Sequence, residues 1–146
     1  MGVQTVVLNN GSQAIVNRDI NKIFLFGNNT KQATLTNSTG GSITYLAGSV
    51  MGKIGTSNLL ARFTSGAVDG SQHPIGVLWE DITLAAGASA VVNYCTQGDI
   101  EESKLVFQGA DTLETVISTR RVRELIETNS QIRLVTSTDL TNFDNN

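Results

Sequence analysis

Short apolar runs alternate with polar breaks along most of this chain. From residue 3 to about residue 43, the runs VQTVVL (3–8), QAIV, KIFLFG (22–27) and QATLT are separated by NNGS, NNTK and NSTGG. Each run has the β-branched and aromatic content of a strand, and each break has the Asn or Gly of a turn. Asn10-Gly11 is the sharpest of these signals, because both residues tolerate the positive φ of a type I′ hairpin turn.

From residue 45 to about 109 the pattern is denser. LAGSVMGKIG carries Gly48, Gly52 and Gly55 inside an apolar strand pattern, which marks a bulge, a bend or a close backbone approach. LLARFTSG (59–66) predicts the next strand. Asp69-Gly70 predicts a turn, Pro74 fixes φ at a strand entrance, and PIGVLWEDITL reads as one long strand. AVVNYCTQGDI returns after the turn AAGAS, and SKLVFQG closes the set.

The last part holds the one persuasive helix. Val122, Leu125 and Ile126 recur at three- and four-residue spacing, with Ser118 or Thr119 as the cap. DTLE (111–114) has capping-box spacing for an additional short turn, and QIRLV reads as a final strand. The texture divides the chain into a strand-rich N-terminal extension (1–42), a core (43–136) and a polar tail (137–146). The fold class is mainly β, a small β-rich α+β domain with one short C-terminal helix.

Composition narrows the function. At 146 residues the chain fits one domain with a real core. Charged residues make up only 16%, so the surface is polar through Thr, Ser, Asn and Gly more than through charge. A net charge of −3 with scattered basic residues argues against nucleic acid as a partner, since a phosphate backbone needs a concentrated Lys/Arg surface. No apolar run approaches the roughly 18 residues of a membrane span, and the N-terminus has no features of a secretion signal.

Chemistry is sparse. Glu80-Asp81 and Glu101-Glu102 are adjacent pairs that point to opposite faces of a strand, and they read as solvated charge. His73 has no second histidine and reads as a polar turn residue. Cys95 is the single cysteine, and in its apolar run it reads as a buried thiol. TQGDIEES (96–103) is the one faint candidate for a calcium loop, equally explained as an acidic strand end. Trp79, the sole tryptophan, reads equally as a core residue or an interface anchor. The sequence assigns no catalytic, cofactor-binding or metal-ligating residue. A hydrolase would need two of Asp69, His73, Glu80 and Asp81 within hydrogen-bond reach.

Three elements together carry a resemblance. They are G-x-V-x-G-K-I (Gly48 to Ile54), D-G-S-Q-x-P-x-G-V-L (Asp69 to Leu78, followed by Glu80-Asp81), and G-D-I (Gly98 to Ile100) before an outgoing apolar strand. With the closing helix and strand, residues 45–135 resemble the bacteriophage head decoration proteins, the lambda-type capsid-stabilising family. Gly48, Gly52, Asp69, Gly70, Pro74, Gly76 and Trp79 make up the structural turn-and-strand motif. The resemblance implies a β-tulip-like core without catalysis. It also implies a homotrimer bound to the major capsid protein, on the outside of the expanded head, assembled in the host cytoplasm. Family members have a short N-terminal arm, whereas some forty strand-rich residues stand here. They would form a longer capsid-gripping element, an added β-layer or an oligomerisation module. In the first case Val3, Thr5, Val6, Val7 and Leu8 would add a strand to a capsid sheet edge. The alternative is a head fibre or adhesion module binding a host glycan or surface protein.

Overall fold

The computed structural model describes residues 23–136. The expectations for Val3, Thr5, Val6, Val7 and Leu8, for the Asn10-Gly11 turn and for the tail at 137–146 lie outside the described residues. In chain order the elements are β1 (Phe24–Thr36), β2 (Ile43–Tyr45), β3 (Val50–Lys53), β4 (Leu60–Arg62), β5 (Gly76–Leu78), β6 (Ile82–Leu84) and β7 (Ser89–Glu101). After a 3-10 turn at Glu102–Lys104 come β8 (Val116–Ile117), β9 (Arg120–Arg121), α1 (Val122–Asn129) and β10 (Gln131–Val135). The mainly β fold with one short C-terminal helix is the class the hydrophobic pattern predicts.

The strand pairings close on themselves. β1 pairs with β4, β4 with β3, β3 with β5, β5 with β7, and β7 again with β1. β10 adds to β7 in parallel, from Gln131↔Gln97 to Val135↔Glu101, next to the short β5 contact at Val77↔Cys95. β2–β6 and β8–β9 form separate two-stranded ribbons.

Alternation along the central strands feeds two cores. Val50, Val77 and Cys95 face one core, shared with Val122 and Ile126 of α1 and with Ile132 and Leu134 of β10. Their neighbours Met51, Leu78 and Tyr94 face the other, with Leu35, Leu60 and Tyr45. One residue breaks the count. Between Asn29↔Gln97 and Thr30↔Cys95, β1 advances one residue and β7 two. This bulge at Thr96 lets Cys95 and Ile100, five positions apart, reach the same core. α1 has only eight residues, too few to stand alone in water. Burial of Val122 and Ile126 holds it, at about 2 kcal/mol for each side chain.

Several local expectations give way to tertiary pairing. KIFLFG and QATLT are not separated by a turn at NNTK: β1 runs through both, absorbing register shifts between Phe24 and Thr30 while keeping its bonds to β7. Residues 24–36, grouped by texture with the N-terminal extension, are therefore a strand of the main sheet. PIGVLWEDITL is two strands in different sheets. The chain leaves β5 after Leu78, and the Asp81 carboxylate accepts the Ala47 N–H at 2.7 Å, turning β6 onto β2.

Three further stretches differ in kind. LLARFTSG keeps only Leu60–Arg62 as strand. SKLVFQG keeps only a bridge from Val106 to Ser49, after the 3-10 turn. Ser118 and Thr119 do not cap α1, whose N-cap is Arg121. With φ of 48° and 80° they form the two-residue turn between β8 and β9, a conformation better suited to Asn-Gly. Asp111 does not open a capping box either, because its carboxylate accepts the Ser65 N–H and hydroxyl at 2.9 and 2.6 Å.

Candidate functional site

The turn-and-strand motif is assembled as a frame. Gly48 donates its N–H to Leu78 O, fixing the entry to β3 against the end of β5. The loop after Asp69 folds back along β3, with Gly55 N bonded to Asp69 O and Ile75 N to Met51 O, both at 2.8 Å. A Cβ on Gly52 would stand 2.4 Å from Ser71 O, and Gly70 has φ +111°. Both positions thus require glycine, one for close approach and one for backbone conformation.

Asp69 Oδ1 accepts from Ser71 N (2.9 Å) and Ser71 Oγ (2.7 Å), and these bonds hold its carboxyl below the usual range. Pro74 is buried before β5, and its carbonyl accepts from Asn129 Nδ2 at the end of α1. Gly76 lies against Cys95 O and the Tyr94 ring. Trp79 is neither buried nor free: it is 36% exposed, with its ring 4.3 Å from Phe24.

That aromatic pair marks one end of the main sheet. Glu101 N, at the end of β7, donates to Ile23 O on one side, and Val135 is in register with Glu101 on the other. The chain therefore enters β1 and leaves β10 at the same end, one on each flank of β7. Phe24↔Ile100 and Phe26↔Asp99 pair there, and Phe26 is 77% exposed. Asp99 holds Arg133 in two bonds of 3.0 and 2.7 Å, which raise the arginine pKa.

Glu101 itself, read as solvated, is buried and accepts from Ser103 Oγ at 2.8 Å, so that its charge closes the 3-10 turn. Glu102 binds Arg123, which also reaches Glu114 at 3.4 Å. The bond to Glu102 holds Arg123 more firmly charged. Arg121 pairs with Glu114 and Arg120 with Glu124, so carboxylates answer the whole basic run.

This end offers exposed aromatic surface and paired charge. Among the described residues no hydrogen bond joins any two of Asp69, His73, Glu80 and Asp81, and no group of three His, Cys, Asp or Glu side chains converges for a metal. No described helix is long and apolar enough to cross a membrane. Cys95 is buried, and burial pushes its thiol pKa up. Phe24, Phe26 and the Asp99–Arg133 pair were not singled out from sequence. The signal for the first two is the alternate spacing of two phenylalanines immediately before Gly27.

The family model for bacteriophage lambda head decoration protein D matches residues 24–121, or 98 of the 146 residues. The match begins at β1, earlier than the resemblance at 45–135, and takes in the aromatic end of the sheet. No curated protein matches the chain.

Proposed function

The chain belongs to the bacteriophage lambda head decoration protein D family and is a phage capsid decoration protein; from that premise we propose that it binds the outer surface of the expanded icosahedral head as a trimer. Its partner is the major capsid protein, and assembly takes place in the host cytoplasm. The observation that carries the docking orientation is the shared exit of Ile23 and Thr136 beside Glu101. Both terminal segments, 1–22 and 137–146, attach at one end of the sheet, next to the exposed Phe26 and the Phe24–Trp79 pair. That end faces the shell.

Val3, Thr5, Val6, Val7 and Leu8 supply the arm, adding a strand to a capsid sheet edge through main-chain hydrogen bonds. A ligand that binds the expanded lattice and not the unexpanded one stabilises the former by mass action. Three arms on one trimer gain avidity over a single contact. Incubating expanded and unexpanded heads with the pure protein, and imaging both by cryo-microscopy, tests the reading. Density at the local three-fold axes of expanded heads alone is expected, and a protein that leaves expanded heads bare is not a head-binding one. Removal of residues 1–11 tests the arm: undiminished binding rules it out.

A further inference from the structure

The main sheet treats its two exposed margins differently. On β10, the outward N–H of Ile132 donates to Ser130 Oγ at 3.2 Å and that of Leu134 to Glu127 Oε2 at 3.0 Å. Side chains thus occupy the donors that would template another strand. Among the described residues, the outer margin of β1 has no such cover. β7 pairs with one side of β1 along its length, whereas β4 meets the other side only at Leu35↔Leu60. From Thr30 to Thr34 every second residue directs its N–H and C=O away from β7. Apart from the β4 contact at Leu35↔Leu60, no turn, loop or side-chain bond among the described residues engages them.

Charge says what fits there. Thr30 and Lys31 also line an open groove of about 620 Å³ that reaches across β7 to Lys53. Among the described residues, no carboxylate lines this groove. Arg120, Arg121, Arg123 and Arg133 each hold a carboxylate and Arg62 lies over the Tyr45 ring, but Lys31, Lys53 and, away from the groove, Lys104 have no acidic partner among the described residues. In a chain of net charge −3, two cations in one groove without a carboxylate partner among the described residues stand out. A second copy of β1 is a poor occupant, since antiparallel pairing brings Lys31 towards its own counterpart, and like charges across strands are unfavourable.

We infer that the β1 margin from Thr30 to Thr34 is a second capsid contact, which takes an extended acidic segment of the shell protein as an added strand, its carboxylates meeting Lys31 and Lys53. This rests on the capsid-binding reading and extends it, because here the decoration protein accepts a strand where its arm donates one.

Hydrogen exchange on the full-length protein, free and bound to expanded heads, tests the inference together with Lys31→Glu/Lys53→Glu. The expected result is at least tenfold slower exchange, on binding, at alternate amides of residues 30–34. The double variant is expected to bind heads at least tenfold more weakly at unchanged melting temperature and oligomer mass. Wild-type binding without added protection at 30–34, or a double variant that binds as well as wild type, overturns the β1 contact and leaves the capsid reading intact. Protection already present in the free protein overturns it in favour of contact between copies. A wild-type protein that ignores heads removes both.

Discussion

Trp79 lies against Phe24, ring centroids 4.3 Å apart and planes tilted by 31°, joining the end of β5 to the start of β1. Because Trp79 keeps 36% of its surface, its truncation forfeits the aromatic contact more than a filled core site. Trp79→Ala is expected to cost about 1–2 kcal/mol, below the roughly 3–5 kcal/mol of a fully buried ring. Chemical denaturation measures the loss. A cost of core size would mean that the ring is more enclosed than this geometry has it.

Gly52 and Gly70 press on one contact from two sides. A Cβ on Gly52 would meet the Ser71 backbone, and one on Gly70 would meet Lys53 O at 2.6 Å. Gly52→Ala is expected to destabilise by about 1–3 kcal/mol, because the obstacle is backbone and cannot rotate away. Gly70→Val is expected to cost as much or more, since a β-branched residue resists positive φ. Together they should cost less than the sum, as the first lifts the loop and with it carries the second away from Lys53 O. Strict additivity in a double-mutant cycle would show the two sites to be independent.

Asp69 gives an acid dependence of definite sign. Its folded pKa lies below the unfolded value because Ser71 bonds to the ionised form, first through the hydroxyl and then through the backbone N–H. Stability from this pair is complete above the unfolded pKa of about 3.9 and disappears as pH falls through the folded value. Asp69→Asn keeps an acceptor that does not titrate. Melting curves from pH 5 down to 2 should therefore fall less steeply for the variant than for wild type. Parallel curves would remove Asp69 from the acid response.

Ser118 and Thr119 occupy the positive-φ positions of the β8–β9 turn, where a β-branched residue at φ 80° is strained. Ser118→Asn/Thr119→Gly supplies the residues that turn prefers and should stabilise by about 1 kcal/mol, a few degrees in melting temperature. A decrease would show that the hydroxyl side chains hold contacts worth more than the strain.

Alternation and turn chemistry made β7, β10, the face of α1 and the frame around Asp69-Gly70 readable from residues alone. These features depend on local spacing, which a sequence displays directly. What failed depended on partners far along the chain. NNTK has the composition of a turn, yet β7 offers a continuous ladder and β1 takes it with bulges. Trp79-Glu80-Asp81 interrupts a seemingly continuous strand because Ala47, 34 positions before Asp81, takes its carboxylate. Glu101 looked like surface charge until Ile23, Val135 and the 3-10 turn closed around it. The family resemblance reached the right class, but its start at residue 45 missed β1, whose exposed Phe26 and open margin carry the docking proposals.

The extra residue at Thr96 has an outcome for how this protein can change. On either side of it the strand keeps strict count, Cys95 and Ile100 each aimed inward only because one position is not counted. Loss of Thr96 alone would leave a regular strand with Ile100 still inward, but one residue fewer than that and everything after it rolls over: Ile100 meets water, and Asp99 swings away from Arg133. Length variation is thereby driven out of β7 and into the loops, which are the parts of the molecule free to grow.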